Sequence, residues 1–297
     1  MLSVRPARLA VLALLLMSLI WGYNWVVMKQ VISYVDPFDF SAIRTLLAAA
    51  VLFIVVVIAR RPLRPVAPRQ LLLLGLLQTA TFTALIQWAL VSGGAGKTAI
   101  LVYTMPFWLM PLAWWLLGER VRGVQWIATA VAAFGLLLIL DPWSMTGSVM
   151  GNVLAVGGGL TWALSTVVAK RMRRDHDFDL LSMTAWQMLF GALALCVVAL
   201  LVPSRPIDPT PYFFGALFFN AVFATGLAWL LWLYVLQKLP AGVAGLSALG
   251  IPLIGALAGW IELGERPSTN EFSGMALIVV ALALTSLWPL LQARRKA

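Results

Sequence analysis

Leu117-Gly118-Glu119-Arg120 closes one apolar run of the chain, and Leu263-Gly264-Glu265-Arg266 closes another, 146 positions later. The same displacement carries Ala95-Gly96 onto Ala241-Gly242, Pro106 onto Pro252 and Trp114 onto Trp260. A nearby displacement of 141 carries Trp21 onto Trp162 and Lys29 onto Lys170. One matched tetrapeptide can arise by chance, but an ordered set marks an internal repeat. The chain divides into two related halves, 9–140 and 149–291, inside a single transmembrane domain covering 1–297.

Each half is made of apolar runs separated by Pro, Gly and charge. The runs fall near 9–31, 38–59, 69–91, 97–117, 122–140, 149–170, 180–202, 211–236, 242–262 and 271–291. Of the 297 residues, 62% are hydrophobic and 11% charged, against about 25% charged in an ordinary soluble domain. A hydrocarbon core about 30 Å thick takes roughly 20 apolar residues per helix, so ten spans use nearly the whole length. Backbone amides in lipid must be satisfied within the segment, which makes such runs helices. The fold class is therefore an all-α polytopic membrane protein. Its ten transmembrane helices form two inverted five-helix repeats, because an odd number of spans per half turns the second half upside down. The run from Leu9 to Val31 follows Arg5 and Arg8 like a secretory signal, but its length and lack of a small-residue cleavage pattern lead us to expect an uncleaved first span.

The net charge of +10 is distributed by topology and is not laid along a nucleic-acid-binding face. With the amino terminus inside, sixteen basic residues lie on inner segments, among them Arg60, Arg61, Arg64, Arg69, Arg120, Arg122, Lys170, Arg171, Arg173 and Arg174. Four lie outside, namely Lys29, Lys97, Arg205 and Arg266, and Arg44 is within a span. Lys and Arg collect in cytoplasmic loops, so both termini are expected in the cytoplasm.

The repeat also resembles a known family, the drug/metabolite transporter superfamily and its ten-span EamA-type exporters. The resemblance rests on Leu-Gly-Glu-Arg closing the fourth and ninth spans, on Pro106 and Pro252 before it, and on the Trp-Gly-x-Asn pattern of Trp21, Gly22 and Asn24. The second copy departs from that pattern as Trp162-Ala163-Leu164-Ser165. The resemblance implies a bacterial inner-membrane exporter of amino acids or related metabolites, and the aromatic inventory is most similar to the aromatic amino acid exporter branch.

All eleven carboxylates fall at span ends or in loops. Proton-coupled carriers commonly bury one near the midplane, so the expected mode is facilitated diffusion or exchange, with a proton-coupled exporter of lipophilic drugs as the alternative. An intramembrane enzyme needs a nucleophile and base, paired aspartates or metal ligands. The single His176 stands between Asp175 and Asp177 in a basic loop, the single Cys196 in an apolar run, and no His-Glu-x-x-His or Gly-x-Ser-x-Gly occurs. No enzyme activity, cofactor, metal or nucleic acid is expected. The expected partners are a small-molecule substrate and the lipid bilayer, and no obligatory protein partner is evident.

Candidate substrate contacts are the polar and aromatic groups deep in the spans. The third span carries Gln78, Thr79, Thr81, Thr83 and Gln87, more hydrogen-bonding capacity than lipid contact tolerates. Gln78 and Phe82, four apart, are expected to share a helical face and to hold substrate between an amide and a ring. Asn24, Tyr103, Trp162, Ser165, Trp186, Gln187 and Asn220 complete the set, against a bland alternative of interhelical hydrogen bonding. Trp21 and Trp229 are also deep, while most other tryptophans fall near span ends, where indoles favour the interface. Arg44, about six residues into the second span, either snorkels, pairs with Glu262 or Asp39, or meets a substrate carboxylate at an outer gate. Pro106 and Pro252 are expected hinges, and Gly255 and Gly259 allow close helix contact.

Overall fold

Ten helical spans cross the described part of the computed structural model, residues 4–93, 101–120, 123–140, 149–264 and 268–295. They are α1 Val4–Val31, α2 Pro37–Ile58, α3 68–93, α4 Met105–Leu117, α5 Val124–Leu140, α6 Val149–Asp175, α7 Leu180–Leu201, α8 Pro211–Lys238, α9 241–263 and α10 Thr269–Arg295. Among the described residues seven helices are long and apolar enough to cross a membrane, and Met105–Leu117, Val124–Ile139 and Thr269–Leu284 are shorter apolar helices. Leu9, Leu12, Leu16 and Leu19 recur at helical spacing on α1 and are all exposed, which gives that helix a lipid-facing stripe.

Local signals explain where the helices start and stop. Pro37, Pro68 and Pro211 sit in the first turns of α2, α3 and α8, where the missing N–H costs nothing. Asp179 caps α7 by accepting from the Ser182 N–H at 3.0 Å, and Thr210 caps α8 from the Phe213 N–H at 3.2 Å. Ser268 and Glu271 form a reciprocal capping box at the start of α10, with contacts of 3.2 and 2.7 Å. Gly118 and Gly264, the glycines of the repeated tetrapeptide, both end their helices in the left-handed region, at φ 71° and 70°. A side chain is disfavoured in that conformation, so the shared Gly is a C-terminal stop used twice.

The two halves match in their irregularities too. The α3 span holds a π-helical segment, Gly75–Thr81, and α8 holds another, Phe219–Leu227. The α4 span follows a turn at 103–104, and α9 is interrupted at 248–249 between its pieces Ala241–Ser247 and Gly250–Leu263. Packing obeys the same exchange of halves. The α1 helix packs on α9 as α6 packs on α4, α1 on α8 as α6 on α3, and α2 on α8 as α7 on α3, while α2 pairs with α7 and α5 with α10 across the halves.

The expectation for the two prolines changes here. Pro106 and Pro252 do not weaken the middle of a continuous helix. Each lies in the first turn after a break, where it interrupts no helical hydrogen bond, and the helix interruption itself is at 103–104 and 248–249. The expected fourth span from 97 begins in 94–100, outside the described residues.

Candidate functional site

The α1 helix brings Trp21, Asn24, Trp25 and Met28 to one face by their three- and four-residue spacing, and all four line a cavity of about 100 Å³ between the halves. Room for one water needs roughly 10–15 Å³, so the space holds several waters or one small solute. The α2 helix contributes Arg44 and Thr45, α3 contributes Thr79, Phe82, Thr83, Ile86 and Gln87, and α6 contributes Trp162. Tyr103 enters from the turn before α4, and Ala224, Thr225 and Trp229 from α8.

Its floor is an aromatic box. Trp21 meets Trp162 edge to face at 5.6 Å and Trp229 at 4.9 Å, and Phe82 meets the same two rings at 5.6 and 5.8 Å. Trp21 and Trp162 are repeat-related, and residues exchanged by a twofold relationship can touch only near its axis, so the box lies where the halves meet. Phe82 and Trp229 stand just after the π segments of α3 and α8. The Trp21 indole N–H donates at 2.8 Å to the carbonyl of Ala224, inside the second π segment. Each edge-to-face pair adds about 0.5–1.5 kcal/mol beyond area burial.

The polar lining lies toward the face opposite both termini, because Asn24, Trp25 and Met28 are in the last third of α1 and Arg44 is early in α2. Arg44 Nη1 donates to Asn220 Oδ1 at 2.8 Å, and Asn220 Nδ2 donates to the Ala216 carbonyl at 3.1 Å. The guanidinium also stands 6.0 Å from the centre of the Phe40 ring. Gln87 Nε2 donates to Ser41 Oγ at 2.5 Å and to the Pro37 carbonyl at 3.2 Å. The Trp25 indole donates to the Tyr103 hydroxyl at 3.0 Å. Four buried atoms of the lining make no hydrogen bond among the described residues: Asn24 Oδ1, Arg44 Nε, Gln87 Oε1 and Trp162 Nε1.

At the opposite end, the terminal face, Glu119 spans three elements. One oxygen accepts from Lys170 of α6 at 2.6 Å, and the other accepts the N–H of Ala241, the first residue of α9, also at 2.6 Å.

Asn24, Phe82, Tyr103 and Trp162, expected from sequence, line the cavity, and Asn220 stands behind it, holding Arg44. Others do not line it. Gln78 is fully buried, with both polar side-chain atoms unpartnered among the described residues. It lies in the π segment, where i→i+5 bonding widens the turn, so a four-residue spacing no longer stacks it with Phe82. Gln187 accepts from Thr79 Oγ1 at 3.0 Å, one layer behind the wall. Ser165 bonds the Trp162 carbonyl of its own helix at 2.7 Å. Trp186 packs on Phe53 at 5.1 Å and donates to the Leu63 carbonyl, near the terminal face. Glu262 does not pair with Arg44. Its carboxylate accepts from Tyr23 at 3.4 Å, and the expected charge pair is replaced by the neutral Asn220. Sequence reasoning passed over Trp25, Thr45 and Thr225. Trp25, four residues after Trp21 and one after Asn24, carried a usable signal.

Comparisons with known proteins bear on this geometry. A family model described as the EamA-like transporter family matches residues 8–141 and again 149–287. The transporter YoaV of Bacillus subtilis is 26% identical over 281 residues, covering 93% of this chain and 96% of that protein. A probable amino-acid metabolite efflux pump of Escherichia coli is 27% identical over 285 residues, covering 90% and 91%. One solved crystal structure shares the fold with a TM-score of 0.79 at 20% identity, covering 94% of this chain and 96% of the other.

Proposed function

The chain belongs to the EamA-like transporter family, and we propose that it exports amino acids, aromatic or apolar ones favoured, or related small metabolites across a bacterial inner membrane by alternating access. The observation that carries this reading is the cavity between the halves, with an aromatic box at its floor and neutral amides, hydroxyls and one guanidinium above. A membrane-embedded cavity shared by inverted repeats is where such carriers hold their solute. The name of the Escherichia coli relative supports the substrate class.

The terminal face is read as cytoplasmic from the sixteen-to-four partition of basic residues. The Glu119 contacts then close the cytoplasmic side while the polar lining lies toward the exterior. Movement is a rocking of the repeats about the helix breaks before Pro106 and Pro252. Among the described lining residues there is no Asp or Glu to carry a proton, which supports facilitated diffusion or exchange.

The test is counterflow of a labelled amino-acid panel in proteoliposomes. Saturable uptake accelerated by unlabelled solute inside, and unchanged when the proton gradient is collapsed at fixed membrane potential, is the expected result. Non-saturable flux would make the protein a channel, and strict dependence on the proton gradient would overturn the coupling assignment.

A further inference from the structure

The lining of the cavity is electrically unbalanced. Arg44 is the one charged side chain among the described residues that form it. A guanidinium keeps its proton in a protein, and its contacts here are the neutral Asn220 amide at 2.8 Å and the Phe40 ring, with Nε left over. An unpaired cation inside the membrane is costly and marks a place where a negative group belongs.

Two of the remaining unpartnered groups, both amide oxygens, bear on the part of the ligand beside the carboxylate. Gln87 Nε2 is committed to Ser41 and Pro37, which fixes the amide orientation and leaves Oε1 as a buried acceptor. Asn24 Oδ1 is a second buried acceptor. Both oxygens are uncharged, so they suit a hydroxyl or an amide N–H. An ammonium would find no carboxylate among the described lining residues and would add a second positive charge to that of Arg44. The aromatic box takes an apolar body.

Resting on the transporter reading above, we propose that the cavity is matched to a net-anionic apolar carboxylate with a neutral hydrogen-bond donor beside the carboxyl group, a 2-hydroxy acid or an N-acyl amino acid, in preference to the zwitterionic parent. The carboxylate binds Arg44, the donor meets Gln87 and Asn24, and the body stacks on Trp21, Phe82, Trp162 and Trp229.

The experiment is a ligand series on the purified full-length protein in nanodiscs, read by thermal stabilisation and quenching of tryptophan fluorescence. The probes are 3-phenyllactate, 3-phenylpropionate, phenylalanine and 2-phenylethylamine. Phenyllactate is expected to half-saturate at a concentration about tenfold or more below phenylalanine, with phenylpropionate between them and the amine without effect. R44Q abolishes the advantage of the two acids, and R44K retains part of it. Phenylalanine binding as tightly as phenyllactate would overturn the inference while leaving the transporter reading intact, as would an unchanged ranking in folded R44Q. The ranking on the unmodified protein stands without either variant. No response to any of the four, from protein with a cooperative melt, would overturn both readings.

Discussion

Glu119 Oε1 lies 2.6 Å from Lys170 Nζ, in an ion pair whose side chains are 28% and 14% exposed. With its other oxygen on the Ala241 N–H, the same carboxylate ties the end of α4 to α6 and to the first turn of α9. Its position at a helix N-terminus also uses the partial positive charge there. These contacts join elements from both halves at one face, which makes them specific to the conformation closed on that side.

Breaking the tie shifts the conformational equilibrium. A charge-assisted hydrogen bond contributes about 1.5–3 kcal/mol, so E119A is expected to shift the equilibrium constant against this conformation by about tenfold or more. The check is labelling of M28C, in a C196S background, with a membrane-impermeant thiol reagent from the face opposite the termini. Labelling falls in E119A and transport falls with it. Equal labelling in both proteins would make Glu119 a packing contact only.

The two deep tryptophans are predicted to part company. W162A removes the ring at the centre of the box and raises the half-saturation concentration for transport by about tenfold or more, since a stacked aromatic contributes on the order of 1 kcal/mol beyond its buried area. W186A, whose ring packs on Phe53 and Phe190 away from the cavity, leaves half-saturation unchanged per folded molecule. Transport kinetics normalised to folded protein separate the two.

Gln78 buries two polar atoms with no partner among the described residues. An unsatisfied buried amide costs about 1–3 kcal/mol, so Q78M is expected to be neutral or stabilising, with half-saturation unaltered. Thermal denaturation in detergent and counterflow on the same preparation provide the measurement. A loss of substrate affinity in Q78M would return Gln78 to the cavity wall.

The contact between α5 and α10 tolerates no added atom. A Cβ at Gly274 would fall 2.4 Å from the Gly135 carbonyl oxygen, and one at Gly135 would fall 2.8 Å from that of Gly274. Backbone blocks both, so no rotamer change relieves the clash. G274A and G135A are each expected to destabilise by about 1–3 kcal/mol, seen as a lowered melting temperature with the cavity ligand series unchanged in rank.

The repeated Leu-Gly-Glu-Arg carried much of the fold, because each residue type in it has a local consequence. The Gly is a left-handed helix stop, and in the first copy the Glu is a tie. Composition and spacing were enough for the spans, since lipid imposes one length and one backbone geometry. The cavity was only partly legible. Trp21 and Trp162 were marked by the repeat, but no residue signature announces a π turn, so the face of Gln78 was misread. Arg44 demanded a partner from sequence alone. That the partner is Asn220, 176 positions away, depends on how α2 and α8 pack, which span boundaries do not contain.

The π segments give the two third helices of the halves an unusual tolerance map. Such a segment carries more residues per turn than the α-helix around it, so the rotation of its extra residue is already absorbed. Removing one residue from 219–227 lets the segment tighten toward an α-helix, with the flanks held close to their present phase. The same deletion in the α-helical part of the span, after Trp229, would turn everything beyond it by about 100°. The span therefore tolerates a change of length inside the wide turn and not beside it.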